Sequence, residues 1–145
     1  MPEMIVELNA AMTRSAALNP GKFRSEESNI GVSTIYGDHK PKETNLEGLR
    51  EIIKKAESEP SISRQAAMLF VLLAKAQPFE DGNKRTALFA ANILLKEEAT
   101  LTVPYDEYNK SISERFSELL ARAYIFNEVD NCVDDLVIHG FKTIN

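Results

Sequence analysis

The chain has little of several residue types on which other classes of protein depend. It contains no tryptophan and a single cysteine, Cys132. A lone cysteine excludes an internal disulfide framework and suits a reducing compartment. No apolar run approaches the ~20 residues of a membrane-spanning helix, and the N-terminal residues lack the basic start and apolar stretch of a signal peptide. We therefore expect a cytoplasmic protein without a membrane partner.

The chain also has no excess of basic residues. The 17 Lys and Arg residues are outnumbered by 22 Asp and Glu residues, which gives a formal net charge of −5. A general nucleic-acid binder needs a basic face, so we expect no nucleic-acid partner. The 145 residues suffice for one domain with its own core. Repeats, low-complexity tracts and linkers are absent, so we predict a single domain over residues 1–145.

Helical periodicity is plentiful. The spacing of apolar residues predicts helices, in chain order, over 4–18, from Thr44, over 62–76, over 87–95, over 105–123 and up to Gly140. Thr44 and Glu47 match a capping box at the start of the second helix. The helices over 62–76 and 87–95 are almost wholly apolar, which is typical of buried helices in a bundle. We expect the aromatic stripe from Tyr105 and the thiol of Cys132 to be packed inside.

The segment from Asn29 to Asp38 breaks this helical pattern. It is rich in β-branched residues, is interrupted by glycine and is too short for a helix, so it predicts a small strand or hairpin. We expect no partner strand elsewhere in the chain. A strand with a free edge is either an aggregation hazard or a docking site for a strand of another chain.

The short polar joint between the two apolar helices carries the chemistry. Gly82 and Asn83 tolerate unusual backbone angles and allow a sharp turn into a helix, whose free amides favour an anion. Lys84 and Arg85 would be unfavourable in the first turn of a bare helix. Asp81 can hold Mg²⁺ through one carboxylate while phosphates supply further ligands. The residues predict a Mg²⁺-bound polyphosphate at a helix N-terminus.

The same spacing also fits a polar loop between helices with solvated charges, and the residues alone leave both interpretations open. A Walker P-loop is excluded, because no Gly-Lys-Ser/Thr follows the required spacer and no strand precedes the joint.

The joint reads Gln77-Pro78-Phe79-Glu80-Asp81-Gly82-Asn83-Lys84-Arg85-Thr86. It closely resembles the signature of the Fic/Doc (Fido) family, His-x-Phe-x-Asp/Glu-Gly/Ala-Asn-Gly/Lys-Arg. The continuation through Leu88, and the stretch from Ala91 to Pro104, look more like the Doc branch. The resemblance implies an all-α Fic fold of six to eight helices with a small β-hairpin flap. It also implies ATP as co-substrate, Mg²⁺ as cofactor, and transfer of AMP or a phosphoryl group to a hydroxyl of a target protein.

The resemblance assigns roles residue by residue. Phe79 would anchor the active-site loop, residues 77–85, in the core. Asp81 would ligate Mg²⁺, and Arg85 would grip a phosphate. The anion site would be formed by Gly82, Asn83, Lys84 and Arg85. The flap, about residues 30–40, would dock a target protein by strand addition along Val32, Thr34, Ile35 and Tyr36.

Two positions depart from the family pattern. The catalytic histidine falls on Gln77, and a primary amide cannot accept the proton of an attacking hydroxyl. A second arginine of AMP-transferring members falls on Leu88, which Doc-type members also lack. The two histidines, His39 and His139, and the carboxylate of Glu80 are weak substitutes for the missing base.

We therefore expect impaired transfer. The alternative is a catalytically inactive Fic-fold module that binds a nucleotide or another protein. The resemblance also raises an antitoxin or a second copy of the chain as partners, because several relatives are toxins of toxin–antitoxin pairs.

Overall fold

The computed structural model describes residues 1–13, 20–25, 31–96 and 99–143. Within these ranges the chain forms six helices and four short strands. The helices are α1 (Pro2–Thr13), α2 (Leu46–Glu57), α3 (Ile62–Ala76), α4 (Asn83–Leu95), α5 (Lys110–Phe126) and α6 (Val129–His139). The strands are β1 (Val32–Thr34), β2 (Gly37–His39), β3 (Ala99–Leu101) and β4 (Phe141–Thr143). The predicted helical bundle with a small hairpin is confirmed.

Helix α3 lies at the centre of the bundle. It packs against α2, α4, α5 and α6. Residues 66–71 are all buried, as their apolar sequence predicts. The most extensive contact is with α4, where small side chains at Ala87, Ala90 and Ala91 are fully buried and allow the two helices to approach closely. The polar joint is therefore the turn of a tightly packed helical hairpin.

Several predicted helix boundaries are wrong. The capping residue of α2 is Asn45, whose side-chain oxygen accepts from the Gly48 amide at 2.9 Å, because a short asparagine side chain is itself a preferred cap. Thr44 therefore lies outside the helix. The end predicted for the first helix, at residue 18, lies outside the described residues.

Two predictions of buried aromatic and apolar surface also fail. Helix α5 begins at Lys110 after a cap at Asn109, so Tyr105 and Tyr108 precede it and are 75% and 91% exposed. Phe89 and Ile93 of α4 are 53% and 38% exposed. Helix α4 buries its small residues against α3 and leaves part of its apolar surface outside.

The strands form two separate two-stranded antiparallel sheets. β1 pairs with β2, which confirms the predicted hairpin, and β1 has no other strand partner among the described residues. β3 pairs with β4, a contact that we did not predict. The Asn92 side chain secures β3, since it accepts from the Leu101 amide at 2.8 Å and donates to the Leu101 carbonyl at 3.0 Å.

Candidate functional site

The joint between α3 and α4, residues 77–85, is a sharp elbow with a left-handed residue near each end. Gln77 ends α3 with φ 44° and ψ 60°, and its backbone N–H donates to the Leu73 carbonyl at 3.1 Å. Gly82 precedes α4 with φ 71°, a conformation that glycine adopts without a steric cost. These two residues reverse the chain and point the start of α4 towards solvent.

Phe79 fixes the elbow in the core, as predicted. Its ring is 1% exposed and stacks on Phe23 with 5.6 Å between ring centroids. Asn83 closes the turn around it: Oδ1 accepts from the Phe79 amide at 2.8 Å, and Nδ2 donates to the Phe79 carbonyl at 2.9 Å. The Asn83 side chain therefore stabilises the turn of the elbow.

Asn9 of α1 holds the elbow from one side. It is 1% exposed, and its Nδ2 donates to the Asp81 carbonyl at 2.8 Å and to the Thr86 hydroxyl at 3.2 Å. Its Oδ1 accepts from the Gly21 amide at 3.0 Å. No sequence pattern singled out Asn9 for this role, because α1 also contains the polar residues Glu3 and Glu7.

Arg24 holds the elbow from the other side. It is 4% exposed; Nε donates to the Gln77 carbonyl, and Nη2 donates to the Ala76 carbonyl at 3.2 Å. These are carbonyls at the C-terminal end of α3, where the helix carries a partial negative charge. No local sequence pattern marks Arg24 for this role, because it lies more than fifty residues before these two carbonyls.

The elbow presents three backbone amides to an anion. The Gly82 amide donates to Asp81 Oδ1 at 2.8 Å and is therefore occupied. The next three amides, of Asn83, Lys84 and Arg85, have no acceptor among the described residues. The side chains of Lys84 and Arg85 are exposed beside them. The region that favours an anion therefore begins one residue after the predicted Gly82.

Two cavities meet at the elbow and differ in character. The smaller, about 440 Å³, is lined by residues 80–85 together with Gly31 and Gln77. The larger, about 650 Å³, lies between β1 and α5. Gln77, Asn83 and Lys84 line both. A polar, cation-bearing cavity therefore opens beside a larger one that is mostly apolar.

Gln77 is the buried polar group at this junction. It is 5% exposed, and its side-chain amide forms no hydrogen bond with the described residues. The hydroxyl of Tyr124, on the wall of the larger cavity, likewise has no such partner, and burial raises the pKa of this phenol. Both groups line the cavities and are available to hydrogen-bond with a ligand.

The hairpin forms one wall of the larger cavity. Val32, Thr34 and Ile35 line it, and Ile35 is 80% exposed. Tyr36 packs instead against α5, where its hydroxyl donates to Glu118 at 3.0 Å and its ring lies 5.2 Å from that of Phe126. Three of the four predicted docking residues therefore border the cavity, and the fourth holds the hairpin to α5.

Comparison with known proteins decides the family. The sequence profile of the Fic/DOC family matches residues 2–95, well over half of the chain. This chain belongs to the Fic/DOC family. A comparison with curated protein sequences found no match.

Two solved structures share the Fic fold. The BepC protein of Bartonella tribocorum, a VirB-translocated effector crystallised with bound AMPPNP, is similar over 99% of this chain and 75% of its own, with a TM-score of 0.58 and 13% sequence identity. A Fic-domain-containing signaling protein of Bacteroides thetaiotaomicron is similar over 95% of this chain and 60% of its own, with a TM-score of 0.60 and 16% identity. At these identities the likeness shows the fold alone.

Of the remaining candidate groups of this Fic/DOC chain, His39, His139 and Cys132 line neither cavity, whereas Glu80 lines the smaller one. His39 Nε2 lies 2.6 Å from the Lys75 carbonyl, so this nitrogen carries the proton, and its ring stacks on Tyr124 at 4.9 Å. His139 is exposed at the end of α6. Cys132 is buried as predicted, and burial raises the pKa of its thiol to about 12. None of the three is placed as a base or nucleophile at the elbow.

Within the described ranges, no group of three or more His, Cys, Asp or Glu side chains is arranged to hold a metal ion. One carboxylate is enough for Mg²⁺ when phosphates and water complete its shell. Asp81 is exposed at the smaller cavity, and one of its oxygens is bonded to the Gly82 amide. The residues therefore fit a Mg²⁺ ion that arrives with a nucleotide.

Among the described residues, no helix is both long and apolar enough to cross a membrane.

Proposed function

We propose that this chain binds ATP–Mg²⁺ at the elbow and transfers AMP or a phosphoryl group to a hydroxyl of a target protein, with impaired activity because Gln77 occupies the position of the family histidine. The proposal rests on the amides of Asn83, Lys84 and Arg85, which have no acceptor in the part of the chain that the structure describes and are flanked by exposed cations at a cavity. Family membership supports nucleotide transfer in general, and a structural neighbour contains AMPPNP.

The two cavities suit the two halves of a nucleotide. The smaller, with Lys84 and Arg85, would take the phosphates, and the larger apolar one would take the base. Bound Mg²⁺ would neutralise phosphate charge, with Asp81 as its protein ligand. The hydroxyl of the target would attack phosphorus, and the bond to pyrophosphate or ADP would break.

The proposed reaction has no evident base to remove the proton of the attacking hydroxyl. The amide of Gln77 can accept a hydrogen bond and orient the hydroxyl, but it has no basicity to remove the proton. General-base assistance is typically worth about 10² to 10⁴ in rate. We therefore expect slow transfer by the chain as it stands.

The transferred group and the docking mode follow from the same residues. Leu88 is packed against the core. It supplies no second cation for AMP transfer, and this supports the Doc-like branch.

The outer edge of β1 is the proposed docking strand for the target protein. An ATP-dependent enzyme of this kind would work in the cytoplasm, and an antitoxin or a second copy of the chain would be its regulator.

Because the side chain of Gln77 is not basic, it also favours a second function. The chain would then be a catalytically inactive module that keeps the nucleotide site and acts through protein interaction.

One comparison separates the two functions. The chain and its Gln77→His variant are incubated with α-labelled or γ-labelled ATP and a lysate, and the double variant Gln77→His/Arg85→Ala serves as the control. Transfer by both proteins would support an active enzyme. Transfer by the histidine variant alone would show a competent site that Gln77 disables. No transfer by either protein, together with no ATP binding by calorimetry, would contradict the proposal.

A further inference from the structure

Arg24 joins two segments of the candidate site that are distant in sequence. Its Nη2 donates to the Pro41 carbonyl at 2.9 Å and to the Lys42 carbonyl at 2.7 Å. The same guanidinium donates to the carbonyls of Ala76 and Gln77. Arginine presents several donors in a rigid planar fork, which a single lysine ammonium cannot reproduce.

The two segments are the exit of the hairpin and the start of the elbow. Pro41 and Lys42 lie two and three residues after the end of β2, whereas Gln77 ends α3 and lines both cavities. The backbone amide of Arg24 adds a bond to the Pro78 carbonyl at 2.9 Å. One buried residue therefore contacts the base of the flap and the base of the phosphate site.

Electrostatics favour a cation at this point. The carbonyls at the end of α3 carry the negative end of the helix dipole. Burial lowers the pKa of Arg24, and the carboxylate of Glu43 opposes this effect. A guanidinium remains charged in proteins, so its hydrogen bonds to these carbonyls are charge-assisted and stronger than neutral ones.

We infer that Arg24 is a positioning residue that holds the flap and the elbow in one register, so that a target on the flap faces a nucleotide on the elbow. The inference rests on the proposed function for its consequence, but the link between the two segments is independent of any ligand. His39, which bonds the Lys75 carbonyl from β2, supports the same register.

The test compares Arg24→Lys with Arg64→Lys in the full chain. Arg64 is a matched control, because it also ties α3 to its surroundings, through Glu59 and Asp134, but at the opposite end of the helix. Hydrogen exchange is followed in peptides that cover the flap and the elbow, and the Kd for Mg-ATP is measured where both variants are folded.

We expect Arg24→Lys to accelerate exchange in the flap and in the elbow about tenfold and to weaken Mg-ATP binding by a similar factor. After correction for any change in overall stability, Arg64→Lys should leave both the exchange rates and the Kd for Mg-ATP unchanged. Faster exchange in only one of the two segments, or the same pattern in both variants, would overturn the inference. If the unaltered chain does not bind Mg-ATP, the proposed function fails, while the exchange result still decides the role of Arg24.

A second variant covers the case in which Arg24→Lys does not fold. Pro41→Gly loosens the segment that Arg24 holds without altering the core. Faster exchange in the elbow as well as in the flap would support the link through Arg24. Faster exchange confined to the flap would overturn it.

Discussion

The elbow and the flap face each other across one cavity, but they are held in very different ways. The elbow rests on buried groups: Phe79 is 1% exposed, and the side chains of Asn9 and Arg24 that bond to it are 1% and 4% exposed. The flap consists of two strands of three residues each. Its tip residue Ile35 is 80% exposed, and its Ser33–Asp38 hydrogen bond lies at the surface.

The two regions should therefore differ in how readily they open. Breaking a buried hydrogen bond leaves an unsatisfied group and costs more than breaking an exposed one. Regions with few buried contacts open more readily. The half of the site that would hold phosphate is therefore built into the core, and the half that would dock a partner is placed at the surface.

The largest expected effect is the loss of the aromatic anchor. Phe79→Ala removes a buried ring at the elbow and should lower the free energy of unfolding by about 3–5 kcal/mol, measured by denaturant unfolding. Phe126→Ala, which removes a ring that is 50% exposed beside the flap, should cost clearly less. Equal losses of unfolding free energy in the two variants would contradict the distinction between the two regions.

A smaller effect is expected for the polar clamp. Asn83→Ala leaves the amide and carbonyl of Phe79 without partners and should cost about 1–3 kcal/mol of stability. The matched change in the flap is Ser33→Ala, which breaks an exposed bond to Asp38 and should fall within about 0.5 kcal/mol of the unaltered chain. The comparison fails if Ser33→Ala costs as much as Asn83→Ala.

The same contrast explains what the sequence predicts well and what it does not. The apolar runs of α3 and α4 and the punctuation at residues 77–83 are local signals, so the helical hairpin and its polar joint are predictable from them, whereas the burial of Phe79 was implied only by the family resemblance. Arg24 and Asn9 act on residues more than fifty positions away, and no local pattern marks them. The family signature locates the candidate site, but the neighbours that position it are visible only in the folded chain.

Local signals also mislead in identifiable ways. Tyr105 and Tyr108 continue an amphipathic pattern, yet α5 begins only at Lys110 because Asn109 caps it. The β3–β4 sheet joins strands about forty residues apart, so it could not be predicted from either segment alone.

The charged groups of the elbow should contribute mainly to binding. Asp81→Ala and Arg85→Ala should each weaken Mg-nucleotide binding by about 1–3 kcal/mol, as expected for the loss of one charged contact, and Arg85→Ala should leave the thermal stability unchanged. Lys54→Ala, an exposed lysine on α2, is the control and should bind normally. Unchanged affinity in both elbow variants would place the nucleotide elsewhere.

The smallest expected effect lies in the flap. Tyr36→Phe removes the exposed hydrogen bond to Glu118 and keeps the ring against Phe126, so it should cost about 0.5 kcal/mol. Hydrogen exchange should accelerate in the hairpin and remain unchanged in the elbow. Faster exchange in the elbow as well would contradict the distinction between the two regions.

The most direct measurement is an NMR titration of the isotope-labelled chain with Mg-ATP, read at the backbone amides of Asn83, Lys84 and Arg85. We predict saturable shifts of these three resonances. If they remain unmoved up to saturating nucleotide, the start of α4 does not bind phosphate and the account of this site is wrong.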